Sequence, residues 1–450
     1  MTDDMTVLIK ILQVILALSI LIVIHELGHY FFARICGIRV DKFFLFFDAG
    51  NFKLFSTKST GWFTRLFPKM KDAETEYGIG WLPIGGYCKI NGMVDESFDL
   101  DSLKQPPKPW EFRSKPAWQR LLVMLGGVLF NFIFAILVYI FMFDVWGSEY
   151  ISNRDSRIYV NDLAYEMGFR NGDRILSFDG YEPEDFSMLQ ADLARRDART
   201  ARVLRGNDTL TIYIDRSMIG RVLDSPGMFS LAVPFDIDSL ASGSPNAGAD
   251  LRHGDRIARI GTSDVAYVQD AWKILGELAG SSAEVTILRD GDTLSRTVQV
   301  DSAGHIGVVL QVPGLEKKEY SVLEAIPAGI EYTFSTVGGY VRDLKLVATP
   351  STGAYKSVGS FIAIGQVFPS TWNWLIFINL LALLSIMLGV MNLIPIPGLD
   401  GGHSILLLYE MITGRKPSDR FLVAAQAIGM VLLIMLMILA FGNDIGRLMR

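Results

Sequence analysis

Apolar residues run almost unbroken through four stretches of the chain, roughly 11–33, 121–143, 375–396 and 421–441. Each is long enough to supply the ~20 residues a helix needs to cross the hydrocarbon core of a bilayer. The pattern therefore predicts four membrane-spanning helices. Between the second and third stretches, about 147–313, short apolar runs alternate with charged residues and turn signals, as in an aqueous domain. Two landmarks recur there. Gly172-Asp173-Arg174-Ile175 returns as Gly254-Asp255-Arg256-Ile257, and Leu204-Arg205 returns as Leu288-Arg289, each hairpin continuing to Thr-Leu at 209–210 and 293–294. Offsets of 82 (254 − 172) and 84 (288 − 204) predict tandem copies of one fold. In each copy a Gly-Asp turn leads into a strand (Ile175–Phe178, Ile257–Ile260), then a helix, then a hairpin turned at Gly206-Asn207 or Asp290-Gly291.

Composition supports a chain with both membrane and aqueous parts. Half of the 450 residues are hydrophobic, yet 20% are charged. The net charge of −6 gives no reason to expect nucleic acid as a partner. Cations cluster beside the membrane between the first two stretches: Arg34, Arg39, Lys42, Lys115 and Arg120, against only Lys10 ahead of the first. By the positive-inside rule the 34–120 loop faces the cytoplasm and both termini face outward. Arg415, Lys416 and Arg420 agree; Arg447 and Arg450 oppose it, and the longer loop decides. The repeat is then exported. Cys36 and Cys88 fall on the cytoplasmic side, where thiols stay reduced, and neither has zinc-site spacing. The start Met1-Thr2-Asp3-Asp4 is acidic, unlike a signal peptide.

The candidate chemistry sits inside the first apolar stretch, at His25-Glu26-Leu27-Gly28-His29. Residues four apart share a helix face, so both imidazoles can reach one metal ion. Glu26 lies beside them, where it can take a proton from water. Ionisable groups at membrane depth are costly and mark function. A catalytic zinc site usually takes a third protein ligand. Glu74, Glu76, Glu96 and Glu111 lie in a polar loop; Asp400 is the better candidate. It closes the run Asn392 to Gly401, where Pro395 and Pro397 open the backbone near membrane depth. His403 is a rival ligand, while His253 and His305 read as surface residues of the repeat.

With these pieces the chain closely resembles the site-2 protease family of intramembrane zinc metalloproteases, in the bacterial regulator of sigma-E protease type with two PDZ domains. The resemblance rests on His25-Glu26-x-x-His29, on Asn392-x-x-Pro395-x-Pro397-x-Leu399-Asp400-Gly401, on the paired repeat with Ser244-Pro245-Asn246-Ala247 opening its second copy, and on Gly80 to Tyr87. It implies zinc held by His25, His29 and Asp400, Glu26 as general base, and Asn392 on the substrate backbone or oxyanion. It also implies a membrane-dipping β element over 77–90, whose Gly85, Gly86 and Tyr87 offer an edge to an unwound substrate.

The fold expected is a polytopic α-helical membrane protein of four transmembrane helices, with that β element and two PDZ-like α+β domains. Its parts are the first helix (1–35), the cytoplasmic β region (36–116), the second helix (117–146), PDZ domains at 147–224 and 225–313, an amphipathic linker (314–373), the third helix with the Asp motif (374–412), and the fourth helix with its tail (413–450). The resemblance further implies a bacterial inner membrane, PDZ domains on the periplasmic side, and as partners the bilayer and single-span substrates such as anti-sigma factors or remnant signal peptides. Two other readings remain at this point: a PDZ membrane adaptor with a structural metal, and a tethered zincin using a Glu ligand outside the membrane.

Overall fold

The computed structural model describes residues 3–83, 85–93, 106–225, 227–241, 243–311, 313–350 and 354–449. The chain divides into two units. The first comprises 1–147, 319–345 and 358–450; the second, 148–318 and 346–357.

Four helices of the first unit are long and apolar enough to cross a membrane: Met5–Ile35, Ala117–Trp146, Trp374–Leu393 and Phe421–Gly446. They cover the four apolar stretches except for 394–396, and the chain is a polytopic membrane protein with β-sheets. Much of their surface is apolar and exposed, for example Leu12, Phe31, Leu137, Phe141 and Ile438, as expected of helices solvated by lipid. Boundaries follow local chemistry. Gly147, with φ 71°, ends the second helix; the Asn373 side chain accepts from the Ile376 N–H to start the third. The third stops at Leu393, since Pro395 and Pro397 cannot continue it.

The second helix is the centre of this unit, packing against the first, the third and a shorter helix, Asp400–Thr413. Ala135, Tyr139 and Phe143 of the second bury against Ala382, Ile386 and Val390 of the third. The first and second helices meet at glycines: a Cβ on Gly28 would strike the Gly126 carbonyl, so only residues without side chains permit this approach. The helix Val322–Val347 also docks on the second, with Gly329 against Ile140 and Tyr332 edge-on to Tyr139.

Between the first two spanning helices lies a four-stranded sheet of β1 (Val40–Leu45), β2 (Lys53–Ser56), β3 (Glu76–Gly80) and β4 (Tyr87–Ile90), in the order β2-β3-β1-β4. β1 and β3 are parallel; the other pairings are antiparallel. The sheet stands against the first helix. Gly86 meets Ile22, and the Tyr30 and Tyr77 hydroxyls are 2.7 Å apart.

The second unit carries the repeat. In the first copy Arg174–Phe178, Thr200–Arg205 and Asp208–Tyr213 form an antiparallel sheet, with the hairpin turning at Gly206-Asn207. In the second copy Arg256–Ile260, Ser282–Arg289 and Asp292–Gln299 do the same, turning at Asp290-Gly291. Helices Leu189–Arg195 and Val268–Glu277 hold equivalent places in the order. Each copy has its own apolar core, around Phe169, Phe178 and Leu193 in one and Ile257, Leu275 and Ile287 in the other. The strand Phe229–Leu231, beyond the 224/225 break read from the sequence, pairs with Ile158–Val160 of the first copy.

The two sequence landmarks are the two ends of one ion pair. Buried Asp173 accepts two hydrogen bonds from Arg205, each 2.8 Å, and Asp255 accepts two from Arg289 at 2.6 and 2.8 Å. Burial alone would raise the Asp255 carboxyl, but the Arg289 guanidinium and the Arg252 N–H together outweigh it and hold the group below the usual carboxylate range.

Candidate metal centre

One turn of helix sets His25 above His29, their rings edge-on with centroids 4.8 Å apart. The second helix faces them with Gly127. A Cβ there would lie 2.6 Å from His25 Cε1 and from His29 Nε2, so the glycine is what admits both imidazoles. His29 Nδ1 lies 2.8 Å from the Val123 carbonyl, an acceptor only, so it must carry the proton. Its Nε2 lone pair is therefore free to bind.

Asp400 arrives from a different part of the chain. Past Pro397 and Gly398 (φ 105°) the backbone turns and starts the helix Asp400–Thr413, whose first turn carries the carboxylate. Gly401 and Gly402 allow that turn to lie against the main chain of 393–397, since a Cβ on either would strike a carbonyl there. A carboxylate also suits a helix N-terminus.

The three atoms form a nearly equilateral triangle. His25 Nε2 to His29 Nε2 is 3.2 Å, His25 Nε2 to Asp400 Oδ2 is 3.2 Å and His29 Nε2 to Asp400 Oδ2 is 3.3 Å. Tetrahedral zinc with bonds of about 2.0–2.1 Å separates adjacent ligand atoms by roughly 3.3–3.4 Å. Asp400 Oδ2 is buried, and although both imidazoles lie near, it accepts no well-formed hydrogen bond. An orphaned buried carboxylate oxygen facing two imidazole nitrogens fits a metal better than a hydrogen-bonded cluster. Among the described residues this is the one such His/Cys/Asp/Glu group.

The other site residues fall at different distances. Glu26 is half-buried on the same helix. Cys88 on β4 is close enough to feel it: burial first, and the Glu26 charge second, push that thiol well up. Asn392, near the end of the third helix, holds its amide nitrogen 3.5 Å from His25 Nε2. Gly86 sits against Ile22, just under one turn before His25, and Gly85 against Phe47. Tyr87 turns elsewhere, donating to Asp48 at 2.8 Å and stacking on Phe44 and Phe47. β4 pairs only with β1, which leaves its other edge without a strand among the described residues.

The rival ligands are otherwise engaged. His403 Nε2 is 3.0 Å from Gln426 Oε1 on the fourth helix. Glu74 pairs with Arg34, Glu76 with Lys53 and Glu111 with Arg113; Glu96 lies outside the described residues. His253 and His305 are exposed beside Asp238 and Asp301. Sequence reasoning missed Val123, Gly127 and Asn131. A backbone carbonyl leaves no sequence signal. Asn131 did leave one: apart from Tyr139 it is the only strongly polar residue between 121 and 143.

Comparison with known proteins decides the family. The model of peptidase family M50 matches residues 13–436, nearly the whole chain. The chain belongs to peptidase family M50, the site-2 proteases. It is similar to "Regulator of sigma-E protease RseP" of Escherichia coli (strain K12), 28% identical over 96% of this chain and 98% of that one. It is also similar to a "Putative zinc metalloprotease" of Xylella fastidiosa (strain 9a5c), 28% identical over 96% and 97% of the two chains. A protein of the same description from Vibrio cholerae serotype O1 (strain ATCC 39315 / El Tor Inaba N16961) is 26% identical over the full length of both. This M50 peptidase is a metalloprotease of the site-2 type, and the adaptor reading gives way to an enzyme.

Proposed function

We propose that this M50 peptidase cuts peptide bonds within transmembrane segments, with a zinc ion held by His25, His29 and Asp400. The observation that carries the reading is the triangle of ligand atoms 3.2–3.3 Å on a side, built on helices apolar enough to span a bilayer. The names of the relatives support zinc. Zinc supplies a Lewis acid that polarises the scissile carbonyl and makes water a stronger acid.

The protein does the rest. Glu26 accepts the proton of the attacking water and returns it to the leaving amine. Val123 holds the His29 tautomer. Asn392 steadies the substrate backbone or the oxyanion as charge develops on it. A helical substrate must unwind before its carbonyls are accessible, and the stretch Gly85-Gly86-Tyr87 leading into β4 takes the extended segment as an added strand.

The substrates are single-span membrane proteins; the name of the Escherichia coli relative supports regulators of a sigma factor, such as anti-sigma factors. Remnant signal peptides share the same chemistry. The enzyme sits in a bacterial inner membrane, with 34–120 in the cytoplasm, as the cations there favour. The repeat is a pair of PDZ domains (147–224 and 225–313) on the periplasmic side. It contributes no residue to the metal triad, so its task is to admit trimmed substrates and exclude bulky ones.

One reconstitution tests these points. A single-span substrate, with its exported domain intact or trimmed, is placed in liposomes with the wild type, Glu26→Gln or a chain lacking 150–312. The wild type cleaves within the membrane segment and prefers the trimmed form. Glu26→Gln keeps its zinc and loses about 10²–10⁴ in rate, because an amide cannot take the proton. The shortened chain cleaves both forms alike. Near-normal turnover by Glu26→Gln refutes the base assignment, and an unchanged preference in the shortened chain refutes the gate.

A further inference from the structure

His29 has a backbone partner that leaves its Nε2 free for a metal, whereas the amide beside His25, as oriented, favours the opposite tautomer. At His25 Nδ1 lies Asn131 of the second helix, fully buried, with its amide nitrogen 3.1 Å away. In that orientation the amide donates, so Nδ1 must offer its lone pair and a neutral ring carries its proton on Nε2. An Nε2–H can face Asp400 but cannot bind a metal. The Asn131 carbonyl oxygen, meanwhile, is buried with no donor in reach.

Turning the amide 180° about its last side-chain bond exchanges its two ends. The carbonyl oxygen then accepts from His25 Nδ1–H, and the Nε2 lone pair is left for the metal. Ligating histidines almost always donate their other N–H to an acceptor of this kind, as His29 does to Val123. The backbone of Asn131 is itself held, since Ser385 of the third helix donates to its carbonyl at 2.9 Å. The side chain can therefore turn while its position stays fixed.

We propose that Asn131 is a positioning residue for His25: with its amide oxygen turned to His25 Nδ1 it accepts from Nδ1–H and leaves Nε2 for the metal. Asparagine suits the place because it can both donate and accept. Leucine can do neither, and an ionised aspartate can only accept, which is the metal-binding form. The inference rests on the zinc reading above.

The test measures zinc affinity by competition with a calibrated chelator, using purified full-length wild type, Asn131→Leu and Asn131→Asp, each checked for a monodisperse elution profile. Asn131→Leu is expected to bind zinc about 10–100-fold more weakly, the usual effect of losing such a partner. Asn131→Asp is expected to bind at least as tightly as wild type, and to cleave. Wild-type affinity in Asn131→Leu overturns the proposal. So does a tenfold loss in Asn131→Asp, which also decides the matter if the leucine variant does not fold. A wild type without zinc overturns the zinc reading and this inference together, an outcome distinct from the other two.

Discussion

At the scale of single residues, the candidate site depends on which side chains Gly127 leaves room for. His25 and His29 stand out because helical spacing puts them on one face within an apolar run, where nothing else justifies two imidazoles. Asp400 stands out as an acid just past two prolines at the end of a span. Gly127 stayed hidden because glycine in a membrane helix is common and its role depends on what faces it. Its removal should be costly. In Gly127→Ala the added methyl falls 2.6 Å from His29 Nε2 and 2.7 Å from His25 Nδ1, so rings or helices must move. Overpacking of this kind costs about 1–3 kcal/mol. If that falls on the metal site, zinc affinity drops roughly 5–150-fold. Chelator competition on the purified variant measures it; unchanged affinity would show that the glycine is not what shapes the site.

At the scale of elements, the repeat was legible because each landmark carries an energetic role. The Asp of Gly-Asp and the Arg of Leu-Arg are partners in both copies, so the two short matches reflect one buried contact. Removing the cation from the second copy leaves buried Asp255 its Arg252 N–H donor but takes away the Arg289 charge, which destabilises the fold. Arg289→Leu should thus lose hydrogen-exchange protection over 235–310 at pH 7 in the full chain. Acid should act similarly on the wild type. The folded Asp255 carboxyl sits below its ordinary value of about 3.9, so its stabilisation is present above that pH and is lost as pH falls further. Protection of 235–310, corrected for intrinsic exchange, should decline below about pH 4. Full protection of Arg289→Leu at pH 7 would refute the pair's importance. The 224/225 break was harder to read, because the strand Phe229–Leu231 is only three residues long and pairs across more than sixty residues with Ile158–Val160.

At the scale of the whole molecule, hydropathy revealed the four helices because lipid imposes a long apolar length on every one. The path between them was less visible. The helix Val322–Val347 lies within what reads as an amphipathic linker over 314–373, since its apolar side is shared between the second helix and exposed positions such as Leu323 and Phe334. The central claim is that residues nearly the whole chain apart, His25 with His29 and Asp400, close one metal site. The most direct test is the zinc content of full-length wild type, Asp400→Ala and His403→Ala, purified alike and dialysed against one chelator. The account predicts one zinc ion per chain in the wild type and in His403→Ala, and its loss from Asp400→Ala. Full zinc in Asp400→Ala, with loss from His403→Ala, would contradict it.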